Sequence, residues 1–123
     1  MQPVHPKRLL FRLSKAPYGS SLAREALDAV LAAAVFEQEV SLLFCGDALY
    51  QLLPSQAPDR IQQKQYTAAF GLFPLYGITK IYAEANDMAA RNLSTTELTL
   101  PVQLLNTAEL QHLYRNQDQI ISF

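Results

Sequence analysis

Residues 40–47 read VSLLFCGD, and how this stretch is read decides the fold. Val40 to Cys45 is a nearly continuous apolar run, and Gly46 with Asp47 stops it. A strand with one wet face alternates apolar and polar residues. A short unbroken apolar run is what a strand covered on both faces requires, and such strands belong to parallel sheets flanked by helices. The segment upstream agrees. Leu22, Ala26, Leu27, Val30, Leu31 and Ala34 recur at three- and four-residue steps, which predicts a helix capped by Ser20 or Ser21 and ending near Gln38. Before it, Lys7 to Leu13 (KRLLFRL) reads as a first strand, broken at SKAPYGS by the turn residues Pro17 and Gly19.

Downstream, DALYQLLP permits one helical turn, and Asp59 can cap a helix running to about Leu72. Strands are predicted at Thr79 to Ala83, Leu98 to Val102 and Gln119 to Phe123. A short helix is predicted at Asp87 to Arg91, and another, capped by Thr107, through Tyr114. Strands alternating with helices predict an α/β chain, a three-layer α/β/α sandwich with a mainly parallel five-stranded sheet. A single domain is expected over residues 7–123, with residues 1–6 expected to be a mobile N-terminal extension. In such sheets the loops leaving the C-terminal strand ends share one edge, where ligands and reactive groups sit. SKAPYGS, CGDALYQ and EANDM reach that edge.

Composition excludes several classes. The chain has 123 residues, half of them hydrophobic, with 10 basic against 11 acidic side chains and a net charge of -1. The charges are scattered, so nothing resembles the basic footprint of a protein that holds nucleic acid directly. No apolar run approaches the roughly 18 residues of a membrane span, and MQPVHPKR lacks a hydrophobic signal core, so a reducing cytoplasm is the expected location. One cysteine and two histidines (His5 and His112) allow neither an internal disulfide nor a common zinc set, and no metal or cofactor is expected.

Cys45 has two readings. It stands at the C-terminal end of a strand, where a nucleophile could work, but Leu42, Leu43 and Phe44 beside it favour a small core residue whose thiolate is suppressed. SKAPYGS precedes a helix and could hold a small anion with Arg24 and Asp47, although its single glycine fails both phosphate-loop patterns. Arg24 and Glu25 open that helix; Glu25 suits its positive end and Arg24 does not, so Arg24 is expected to pair with a carboxylate such as Asp47 across the edge. FGLFPLYG packs Phe70, Phe73, Leu75 and Tyr76 into a segment broken by glycine and proline. These four are the interface candidates, and Phe73→Asp is expected to weaken assembly without unfolding the chain.

Taken together, APYGSSLAREALDAV, FCGDALYQLLPSQAPD, LYGITKIY and the closing DQIISF resemble the TusC/DsrF branch of the DsrE/DsrF-like family, over Lys7 to Phe123. The resemblance implies an α/β/α subunit of a cytoplasmic sulfur relay. Its partners would be DsrE/TusD-like and DsrH/TusB-like subunits in a heterohexamer, with homo-oligomers possible for the isolated chain. Persulfide sulfur would pass along the complex towards 2-thiouridine in tRNA or into sulfur oxidation. In the carrier subunit a cysteine ends the third strand; the corresponding segment here is IYAEANDMAARNL, and that position falls on or next to Glu84. Cys45 belongs to the preceding strand and does not match it. The resemblance therefore implies an accessory, non-catalytic subunit; the rivals are a sulfurtransferase accepting persulfide on Cys45 and an anion-binding module. The family pattern often has glycine where this chain has Asn92, which tolerates a left-handed turn.

Overall fold

The computed structural model of the chain describes residues 6–16, 22–36, 38–54 and 70–123. Strand β1 spans Arg8–Leu13, helix α1 Leu22–Val35 and strand β2 Glu39–Phe44. A 3-10 helix at Gly46–Leu52 and another at Phe73–Tyr76 precede β3 (Lys80–Glu84) and α2 (Ala85–Ala90). A 3-10 turn at Thr95–Glu97 leads to β4 (Gln103–Leu105), α3 (Thr107–Arg115) and β5 (Gln119–Ser122). Pro17, Gly19, the expected serine cap of α1 and residues 59–69 of the expected second long helix lie outside the described residues.

The sheet has the order β4-β3-β2-β1-β5, and all four pairings are parallel. Its two faces differ in chemistry. Leu9, Phe11, Leu13, Val40, Leu42, Phe44, Ile81 and Ala83 point to one side and form a continuous core with Ala26 and Val30 of α1. On the other side only Leu10, Leu43 and Leu105 make an apolar centre, and Leu110 and Leu113 of α3 cover it. β2 is the strand buried on both faces: Leu42, Leu43 and Phe44 are inaccessible to solvent. That is the physical reason VSLLFC shows no alternation.

Several element boundaries differ from the sequence reading; the short helix expected at Asp87 to Arg91, for one, is Ala85–Ala90. The helix expected to reach Gln38 ends at Val35. The fourth strand is not Leu98 to Val102 but Gln103–Leu105, because Pro101 has no N–H to give a ladder. Leu98, Leu100 and Val102 instead pack against the α1-side core, and Thr99 fastens the segment by donating both its N–H (2.7 Å) and its hydroxyl (2.9 Å) to the Leu52 carbonyl.

The cap of α3 is Asn106 rather than Thr107. Asn106 Oδ1 accepts from Glu109 N at 2.8 Å while Glu109 Oε1 accepts from Asn106 N at 3.0 Å, a reciprocal capping box. Asn106→Ala is expected to cost about 1 kcal/mol and to lower the thermal midpoint by about 4 °C, read by circular dichroism.

Candidate functional site

The C-terminal ends of β1, β2 and β3 meet at one edge, as parallel strands in register must. The β2–β3 register ends at Phe44 opposite Ala83, and one step further sets Cys45 opposite Glu84. Cys45 continues the ladder, its N–H reaching the Leu13 carbonyl at 2.9 Å. Gly46 then takes a left-handed φ of 53°, a conformation that suits glycine, and turns the chain into the 3-10 helix. The Gly46 N–H donates to Asp87 Oδ2 at 2.7 Å, which locks the β2 end to α2. Gln51, 4% exposed, ties the same 3-10 helix to the end of β1 by donating its Nε2 to the Lys15 carbonyl at 2.8 Å.

Cys45 is buried, 1% exposed, and its thiol donates to the Leu13 carbonyl at 3.4 Å. Its Sγ and one carboxylate oxygen each of Glu84 and Asp87 lie within 4.8 Å of one another. Two guanidinium groups, Arg12 and Arg91, act on the same cluster. Burial pushes the Cys45 thiol above its ordinary pKa; Glu84 and Asp87 push the same way, while Arg12 and Arg91 pull against them. Burial likewise raises the Glu84 carboxyl, helped by the charge of Asp87 and opposed by Arg12. The same three ligand atoms are spaced closely enough for a cation, but the thiol proton is committed to Leu13 and Asp87 to Gly46, an arrangement that favours a neutral thiol over a metal thiolate.

The sequence-derived candidates divide. Cys45, Asp47 and Glu84 do come together at the edge. Asp47, however, is paired with Arg91, Nη2 to Oδ1 at 3.0 Å, and not with Arg24 as expected. Forty-four residues separate the pair in the chain, so no local pattern announces it. Arg24 and Glu25 are exposed on the first turns of α1. The interface group also splits: Phe70 and Phe73 are core, 3% and 1% exposed, with ring centroids 5.4 Å apart, so their expected surface role is corrected. Leu75 is 81% exposed and Tyr76 is half-exposed, because only one side of the short 3-10 helix can face α1. Asn92 takes a φ of 56°, the left-handed turn expected of it.

The sequence profile of the DsrE/DsrF-like family matches residues 7–123. The chain belongs to the DsrE/DsrF-like family. Among curated members of that family, it is 35% identical to "Protein TusC" of Buchnera aphidicola subsp. Baizongia pistaciae over 118 residues, covering 95% of this chain and 99% of that protein. It is 36% identical to "Protein TusC homolog" of Vibrio vulnificus (strain CMCP6) over 116 residues, covering 94% and 98%. The fold matches the crystal structure of the ychN protein of E. coli, with a TM-score of 0.79 at 19% identity, over 95% of this chain and 99% of that one. A protein of unknown function from Methanobacterium thermoautotrophicum matches with a TM-score of 0.69 at 14% identity, over 95% and 99%. Among the described residues no helix is long and apolar enough to cross a membrane.

Sequence reasoning placed Asp87 at this DsrE/DsrF-like edge within EANDM without giving it a role, and it missed Arg12 and Arg91. Arg12 had a visible signal, a charge inside the apolar run KRLLFRL. Its β1 position puts it on the α3 face of the sheet, where it is felt by Tyr114, Cys45 and Glu84.

Proposed function

We propose that the chain is an accessory, non-catalytic subunit of a cytoplasmic sulfur-relay complex. A DsrE/TusD-like partner carries the persulfide, and a DsrH/TusB-like chain completes a heterohexamer serving tRNA thiolation or sulfur oxidation. One observation carries this reading. β3 ends in the carboxylate Glu84 where the carrier's cysteine is expected, and the thiol beside it is buried and hydrogen-bonded as a donor. A carboxylate cannot hold sulfane sulfur, and a carrier needs an accessible thiol of lowered pKa. Leu75 and Tyr76, exposed on the 3-10 helix after Phe73, are the side chains offered to a partner.

Co-expression with chains of the DsrE/TusD and DsrH/TusB types tests the reading. The expected result is co-purification as one complex, weakened by Leu75→Asp while the isolated variant keeps its thermal midpoint. A chain that purifies alone and binds neither partner overturns it.

A second reading, Cys45 as the persulfide acceptor, is favoured by the closeness of its sulfur to Glu84 and by its place at the sheet edge.

A further inference from the structure

At the opposite ends of the strands, under α3, lies a cavity of about 610 Å³. It follows from coverage. A helix with its side chains is about 10 Å across, and neighbouring strands are about 4.8 Å apart, so α3 cannot roof a five-stranded face. Among the described residues the floor beside α3 is polar: Arg8, Ser41, Lys80 and Gln103 occupy α3-face positions of four adjacent strands. On the other face the matching strand segments carry Leu9, Val40 and Ile81. Packing alone does not call for polar residues there.

The walls mix donors with acceptors, and among the described residues the buried Oε1 of Gln117 is an acceptor without a protein partner. Arg8 gives Nε and Nη2 to Asp118, and Lys80 pairs with Glu39; neither acid lines the cavity, and both cations keep further N–H groups. The carboxylate in the lining, Glu109, is engaged by the Asn106 N–H of the α3 cap. Tyr82, Leu105 and Leu113 supply the apolar part of the wall. The volume lies within the usual range of about 300–1,000 Å³ for small-molecule sites.

We propose that this cavity binds a small organic anion with a flat apolar body. Its carboxylate or phosphate meets Arg8 and Lys80, and its body lies against Tyr82, Leu105 and Leu113. The site is separate from the Cys45–Glu84 edge and does not rest on the relay reading.

Titration calorimetry on the full chain, with benzoate, phenyl phosphate, inorganic phosphate and neutral benzamide as probes, tests it. Benzoate or phenyl phosphate should saturate, and whichever is tighter names the anion class. Inorganic phosphate and benzamide should bind about tenfold more weakly or not at all. Lys80→Gln, an exposed substitution that leaves the core untouched, should weaken the tighter probe by about tenfold. Backbone amide shifts in a nitrogen-15 spectrum should centre on Lys80, Tyr82 and the C-terminal half of α3. Equal binding of benzamide, equal binding of inorganic phosphate, indifference to Lys80→Gln, or no binding by any probe each overturns the proposal. All four outcomes leave co-purification with sulfur-relay partners unaffected.

Discussion

Phe73→Asp is expected to unfold the chain. Phe73 is 1% exposed, stacked on Phe70 at 5.4 Å, and Phe70 in turn meets Phe44 of β2 edge-on at 5.9 Å. Deleting a buried phenylalanine costs about 3–5 kcal/mol in lost burial and cavity formation. Placing a carboxylate in the same apolar space adds several kcal/mol more unless it takes up a proton. Against a domain stability of about 5–15 kcal/mol, that sum leaves little folded population. Far-UV circular dichroism and gel filtration of the variant should show loss of the native form at room temperature. Leu75→Asp, two residues away and 81% exposed, should fold with a thermal midpoint close to the parent. A soluble, cooperatively melting Phe73→Asp protein would contradict the core assignment of the FGLFPLYG segment.

The second large effect concerns Cys45. In the native chain its reaction with a thiol reagent at pH 7 should be slower than in the denatured chain by about a thousandfold or more. A side chain 1% exposed reacts through local opening, and an opening cost of about 4 kcal/mol gives that factor. Intact mass after incubation with a persulfide donor should accordingly show no added sulfur on native protein. Rapid gain of one sulfur, lost in Cys45→Ser, would replace the accessory reading by that of a Cys45 acceptor.

The pH dependence has a definite sign. The folded state raises the thiol pKa, so it favours the protonated form. The resulting stability is fully present below the unfolded thiol value of about 8.5 and is lost as pH rises through the higher native value. Between pH 8 and pH 10 the parent should therefore lose more denaturant resistance than Cys45→Ser. Glu84→Gln removes one of the two carboxylates within 4.8 Å of the sulfur and should bring the onset of reactivity to lower pH. An unchanged onset would show that the Glu84 charge does not act on the thiol.

The α/β/α layering was legible because β2 and α1 state their surroundings in their periodicity. VSLLFC has no wet face, and the heptad-like spacing from Ala26 to Ala34 has one. The weakest boundary was β4, a three-residue strand whose neighbour Pro101 and alternating Leu98, Leu100 and Val102 imitate a longer one. Local pattern reports which residues avoid water, and it cannot tell a ladder from a loop packed on a core. Glu84 and Cys45 were each visible in sequence, but their adjacency needs the β2–β3 register. The Asp47–Arg91 pair and the Gly46–Asp87 hydrogen bond span more than forty residues and have no local signature. FGLFPLYG misled because hydrophobicity alone does not say which side of a 3-10 helix faces the core. Phe70 and Phe73 look inward while Leu75 looks out.

The pairing of β5 with β1 reaches back across the chain: Arg8 N–H binds Asp118 at a separation of 110 residues. During synthesis, β1 therefore emerges from the ribosome long before its outer neighbour exists. Until residues 119–122 arrive, Leu10 and Phe11 belong to an unpaired apolar edge, the kind of surface on which nascent chains aggregate and holding chaperones act. Closing so long a loop also slows the last step of folding relative to the local β1–α1–β2 unit. Premature release of the chain before β5 should thus yield a sticky, half-finished sheet, and yield in the cell should depend on how that interval is guarded.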